Sequence, residues 1–205
     1  MKYVTTLAFI SLLLSSCAKV YYSPDANMLA SAQSKLAILP PKVTINPSKK
    51  IFGEQLESME LDQSISIQNE LSAWILKRKM QGKITQEIQD VETTNARLKL
   101  AGYPNVPIEP KEMCQILGVD GIISSNFTMS KPMEIGTAIA VSILVGSAFA
   151  STNEVITTLK ITDCKGEKMI WSYDQKYSGS IGSSPSRLVD ALMKNASRKM
   201  PYIQK

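Results

Sequence analysis

Cys114-Gln115-Ile116-Leu117-Gly118-Val119-Asp120-Gly121-Ile122-Ile123 passes from a helix, through a glycine stop, into a strand. Pro110 lies just upstream, in the first turn of that helix, where its missing N–H costs nothing. Gly118 ends the helix. Val119 to Met129 then reads as a strand, with β-branched and apolar side chains gathered at Val119, Ile122, Ile123, Phe127 and Thr128. A step of this kind belongs to an architecture in which helices pack on a sheet.

Towards the C-terminus, Val155 to Thr162 is strand-like and Asp163-Cys164-Lys165-Gly166 is a turn. Met169-Ile170-Trp171-Ser172-Tyr173 returns as a strand, completing a hairpin. Gly179 to Ser184 is a small-residue loop. Pro185 and Ser186 open a last helix carrying Leu188, Val189, Leu192, Met193 and Ala196, which ends before Pro201. Towards the N-terminus, Leu61 to Met80 predicts a long helix, because Ile67, Leu71, Trp74 and Ile75 share one face. Lys77-Arg78-Lys79 reads as a solvated end matched to the helix dipole, in preference to a membrane or glycan patch. Ile84, Ile88, Val91 and Leu98 continue at helical spacing, and Gly102 closes that second helix. Tyr103 to Pro110 is a proline-rich loop. Leu36-Ala37-Ile38-Leu39-Pro40-Pro41 is a first strand stopped by prolines, and Val43-Thr44-Ile45 continues it. The expected fold is α+β, an α/β sandwich whose mostly antiparallel sheet of about four strands packs with three to four helices.

The N-terminus reads as a targeting segment. Lys2 is a short positive region, and Val4 to Leu14 form an apolar run of secretory-signal length. That run falls short of the roughly 20 apolar residues a bilayer span needs. Leu14-Ser15-Ser16-Cys17 then resembles the bacterial lipobox, Leu-(Ser/Ala)-(Gly/Ala/Ser)-Cys, at every position. The resemblance implies cleavage after residue 16 and lipidation of Cys17, whose acyl chains form a lasting anchor. An ordinary signal peptide with an incidental cysteine is the alternative. Ala18 follows the cysteine where an aspartate would favour inner-membrane retention, so the implied address is the outer membrane, lipid-anchored and facing the periplasm. Residues 17–34 read as a lipid-anchored tether that spans at most ~60 Å, and residues 35–205 as a single periplasmic α/β domain.

Composition narrows the chemistry. Hydrophobic residues at 44% and charged residues at 20% describe an ordinary globular chain. Without Lys2 the balance is 22 basic against 18 acidic residues, since the chain holds 23 and 18. That mild positive charge suits anionic lipid or glycan and is no nucleic-acid footprint. Histidine is absent, which excludes Ser-His-Asp and Cys-His catalysis and removes the commonest metal ligand. No catalytic residue, metal site or cofactor is expected. Glu54, Glu57 and Glu60 read as a solvated face, so a cell-wall hydrolase is disfavoured. Cys114 and Cys164 can pair as one disulfide in an oxidising compartment, although two buried unpaired thiols are slightly preferred.

Three segments in order carry a family resemblance. They are Lys35-Leu36-Ala37-Ile38-Leu39-Pro40, the Cys114 to Ile123 stretch, and Ile161-Thr162-Asp163 leading through Gly166 to Ile170-Trp171-Ser172-Tyr173. Together they resemble the periplasmic lipoproteins related to the curli secretion lipoprotein, the TolB N-terminal domain and the penicillin-binding-protein activator lipoproteins. The resemblance covers roughly residues 35–202. It implies a compact α/β sandwich that binds protein partners at the envelope and is not an enzyme.

One stretch departs from a plain version of that fold. Residues 135–150, between Glu134 and Glu154, carry no charge and form an apolar insertion. Ile135, Thr137, Ile139, Val141, Ile143 and Val145 alternate as a strand would. Ala138, Ser142, Gly146 and Ala150 recur every four residues, as on a helix with a small-residue stripe. The helix is favoured. Ile135, Ile139, Ser142, Ile143, Gly146 and Phe149 are its candidate membrane or oligomer contacts, against a buried core element. The leading expectation is thus a non-catalytic accessory or scaffold protein binding an unidentified envelope partner. The alternative is a subunit of an oligomeric outer-membrane export complex that uses residues 135–150 for insertion or ring contacts.

Overall fold

The structure, a computed structural model, describes residues 18–46, 52–130 and 154–203. Among the described residues, seven strands form one sheet: β1 (Lys19–Tyr22), β2 (Lys35–Ile38), β3 (Lys42–Ile45), β4 (Glu87–Ile88), β5 (Gly121–Met129), β6 (Glu154–Asp163) and β7 (Lys168–Ser178). Five α-helices accompany them among the described residues: α1 (Ala26–Ala32), α2 (Glu54–Met80), α3 (Val91–Leu100), α4 (Pro110–Leu117) and α5 (Pro185–Ala196).

The strand order is β1-β7-β6-β5-β2-β4, and β3 pairs with β5 beyond β2. β5, β6, β7 and β1 are antiparallel neighbours, with Met129 opposite Val155 and Leu159 opposite Tyr173. β2 and β3 run parallel to β5, and β4 runs parallel to β2. The sheet is therefore mixed and larger than the four mostly antiparallel strands expected. The extra pairings are tertiary contacts, which no local alternation encodes.

Alternation along β5, β6 and β7 sends Ile123, Phe127, Leu159, Ile161, Trp171 and Tyr173 to one face. There they meet Ile67, Leu71 and Ile75 of α2 and Leu188, Leu192 and Met193 of α5. Burying one such side chain is worth about 1.5–3 kcal/mol, so this cluster is the main source of stability. Among the described residues, the opposite face is covered at the β2 end alone. A smaller cluster forms there from Ala37, Leu39, Leu98, Met113, Leu117 and Ile122 under α3 and α4.

Two sequence expectations change. Residues 17–34 are not a tether over most of their length: Lys19–Tyr22 pairs with β7, and Ala26–Ala32 is helical. Ala26 and Ala30 are buried in the main cluster. Mixed polarity hid this, because α1 buries only two alanines and β1 is a sheet edge. The second helix also begins later, at Val91 and not Ile84. The Asp90 carboxylate accepts the Thr93 backbone N–H at 2.7 Å and caps the helix start. Ile84 is buried in the main cluster, and Gln86 and Gln89 tie the segment down by donating to the carbonyls of Ala30 and Leu117.

The α4-to-β5 step takes the expected course. Gly118 holds φ 64°, the left-handed conformation that ends helices with least strain, and donates to the Cys114 carbonyl at 2.8 Å. Gly121 opens β5 where a side chain would strike Gln33 and would lie 2.8 Å from Leu36 Cδ2.

Candidate functional site

Two places gather chemistry. The first surrounds the two cysteines. Cys114 on α4 and Cys164 in the β6–β7 turn form a disulfide with Cα atoms 5.7 Å apart. The proximity arises because the Cys164 N–H donates to the Asp120 carbonyl at 3.0 Å, bringing the hairpin turn against the end of α4. Beside the bond lies an open cavity of about 580 Å³ lined by Gln33, Asp120, Asp163 and Lys165 among others.

The acids of this cavity hold the fold together. Asp163 is 3% exposed, and its carboxylate accepts from Gln33 Nε2 at 2.7 Å and from the Gly166 N–H at 2.5 Å. The buried Tyr202 hydroxyl donates to Gln33 Oε1. Burial, then the Asp163 charge, pushes the Tyr202 phenol far above its ordinary range. Asp120 accepts from the backbone N–H groups of Ser34 and Lys35, both at 2.9 Å. These carboxylates are committed to structural donors. Among the described residues, no group of three or more His, Cys, Asp or Glu could hold a metal ion.

The second place is the end of the sheet where β5 stops and β6 begins. The Ser130 N–H donates to the Glu154 carbonyl at 2.9 Å, and the Glu154 N–H donates to Ser130 Oγ at 3.0 Å. Lys176 pairs with Glu154 at 2.7 Å. The chain thus leaves the sheet at Ser130 and returns beside it at Glu154. Antiparallel pairing of β1 with β7 sets Lys19 opposite Asp174 and Tyr22 opposite Trp171. The chain preceding Lys19 therefore points towards the same end. Cys17 lies two residues before Lys19, a reach of at most ~7 Å.

Cys17 itself, and Ile135, Ile139, Ser142, Ile143, Gly146 and Phe149, lie outside the described residues. What the structure brings together is the attachment points of both segments. Among the described residues, no helix is long and apolar enough to cross a membrane. The Lys77-Arg78-Lys79 trio serves the helix end: Arg78 stacks 4.5 Å over the Trp74 ring, and Lys79 pairs with Glu87 at 2.8 Å. Of the three acids Glu54, Glu57 and Glu60, Glu60 accepts the Ile45 N–H at 2.8 Å and thereby docks α2 on β3.

Sequence reasoning missed the open sheet face beside this end. Alternation sends Lys19, Tyr21, Lys42, Asn126, Ile156, Lys160 and Lys176 to it, all exposed. The alternation of β6 was readable, but β1 was not recognised as a strand, so the face had no visible edge.

The chain matches no family model and no curated protein sequence. Several solved structures resemble it, three of them as follows. A lipoprotein from Neisseria meningitidis is 15% identical with a TM-score of 0.46, over 81% of this chain and 96% of that one. A PelC dodecamer from Paraburkholderia phytofirmans is 13% identical with a TM-score of 0.40, over 92% and 98%. The LpoB C-terminal domain from Escherichia coli is 7% identical with a TM-score of 0.33, over 75% and 94%. Likenesses this loose transfer neither a partner nor an assembly to this chain.

Proposed function

We propose that this protein is a lipid-anchored, periplasm-facing envelope lipoprotein of the outer membrane, without catalysis of its own, that binds a protein partner. The observation that carries the reading is the place of the first described strand. It opens at Lys19, two residues after the cysteine of the lipobox-like stretch. The Cys114–Cys164 disulfide supports an oxidising compartment. The non-catalytic role rests on the absence of histidine from the sequence and on the structural commitment of Asp120 and Asp163.

A second reading, a subunit of an export complex, is favoured by one observation. Residues 131–153 join two adjacent antiparallel strands at the same end of the sheet as the start of β1. In that reading the apolar positions around Ile139, Ser142, Ile143 and Gly146 meet the bilayer or a neighbouring subunit.

Crosslinking in intact cells compares the natural chain with one carrying Ile139→Asp and Ile143→Asp. Loss of a discrete crosslinked species with an unchanged thermal midpoint assigns the segment to partner or oligomer contact. Loss of the fold assigns it to the core and sinks the second reading. A chain that forms no discrete crosslinked species in either version contradicts partner binding.

A further inference from the structure

The open face of the sheet is built in rows that the strand register makes explicit. One row runs Tyr21, Ser172, Lys160, Ser124. The next runs Lys19, Asp174, Thr158, Asn126, Lys42, and a third runs Lys176, Ile156, Thr128, Thr44. Among the described residues the face carries no helix here, since α3 and α4 cover the β2 end. Its charges are unequal: Lys19, Lys42, Lys160 and Lys176 stand against Asp174 and the row-end Glu154. Lys176 and Glu154 pair with each other, and Asp174 accepts the Thr158 hydroxyl at 2.6 Å. Among the described residues, Lys19, Lys42 and Lys160 belong to none of the ion pairs.

From this geometry we infer that the open face of β1, β7, β6, β5 and β3 rests on anionic phospholipid headgroups of the leaflet that holds the acyl chains. The inference builds on acylation of Cys17 and adds an orientation to it. With Ala18 alone between the anchor and Lys19, the folded body has no slack with which to stand away from the bilayer. Adjacent strands are ~4.8 Å apart, so the rows from Lys19 to Lys42 extend only ~19 Å from the anchored edge. Headgroup charge is felt within a Debye length of about 8–10 Å, which takes in Lys19 beside the anchor and takes in Lys160 and Lys42 once the face lies along the bilayer. Tyr21 at 46% exposure and Ile156 at 48% add an amphipathic ring and an apolar contact, the mixture that interfacial surfaces use.

Two arms test the orientation. In the first, the acylated chain is placed in vesicles of phosphatidylethanolamine with phosphatidylglycerol and in detergent micelles, and amine labelling is followed at each lysine. Lys19, Lys42 and Lys160 are expected to react several-fold more slowly in the vesicles, while the exposed Lys77, in the last turn of α2, and Lys83, just past it, keep their rates. Equal ratios at all five overturn the inference. Protection in micelles that grows with protein concentration assigns the face to a second copy. Protection already present in the dilute chain carrying Cys17→Ser assigns it to the chain's own residues. Either result overturns the inference.

In the second arm, the Cys17→Ser chain is floated with the same vesicles at low salt. The triple substitution Lys19→Gln, Lys42→Gln and Lys160→Gln is expected to lower partitioning roughly a hundredfold, about fivefold per lysine, with an unchanged urea midpoint. Unaltered partitioning overturns the inference. An unmodified Cys17 in the first preparation would sink the anchoring, and the second arm then decides the face by itself.

Discussion

Tyr202 connects the C-terminal segment to the buried Asp163 through Gln33, and it shows how one residue carries a pH dependence. Burial and the Asp163 charge favour its neutral phenol in the folded state, so its folded pKa lies above the unfolded value of about 10. A group raised in this way contributes its full stability below about pH 10, and the contribution is lost as pH rises past that value. Burial, then Tyr173, acts on Tyr177 in the same direction. Urea midpoints are therefore expected to fall above pH 10. Tyr202→Phe should fall less steeply there while being about 1–2 kcal/mol less stable at neutral pH, because Gln33 Oε1 loses its donor. Parallel alkaline losses in the two chains would contradict this role for Tyr202.

At the level of elements, the N-terminal strand and helix decide whether residues 18–34 are tether or fold. Ala30 is fully buried in the main cluster. Ala30→Asp is expected to cost about 3 kcal/mol or more, since it places an unpaired charge in the core. A tether would tolerate the change with an unaltered thermal midpoint. Elements with strong periodic signals were legible in the sequence: the β6–β7 hairpin, α4 into β5, and α5 with Leu188, Val189, Leu192 and Met193 on one face. β1 was not, because an edge strand exposes Lys19, Tyr21 and Tyr22 and shows no alternation. β4 is two residues long, and the parallel pairing of β2 and β3 with β5 depends on chain segments far apart. The buried glutamine at position 68 was equally silent, although it donates to the Ile38 carbonyl and to Asn95, both at 2.9 Å. Of the candidate site, Cys17 was chosen by its lipobox-like motif and residues 135–150 by their lack of charge and their apolar periodicity. Only the fold reveals that their attachment points share one end of the sheet. The slight preference for unpaired thiols at Cys114 and Cys164 was wrong for the same reason: spacing says nothing until α4 meets the hairpin turn.

For the whole molecule, compartment, stability and anchoring are linked. The disulfide closes a separation of 50 residues, which restricts the unfolded chain enough to be worth about 2–4 kcal/mol. Reduction, or Cys114→Ser with Cys164→Ser, is expected to lower the urea midpoint accordingly. Identical midpoints with and without reductant would contradict a bond of structural weight. The attachment points of the N-terminal segment and of residues 131–153 share one end of the sheet, and Lys19 stands there on the lysine-bearing face, so an acylated Cys17 would hold that part of the body against the bilayer. The decisive measurement is the intact mass of the chain purified from cell membranes. Loss of residues 1–16 with acyl chains on Cys17 is the expected result. A chain that retains Met1, or that begins elsewhere with an unmodified Cys17, would contradict it.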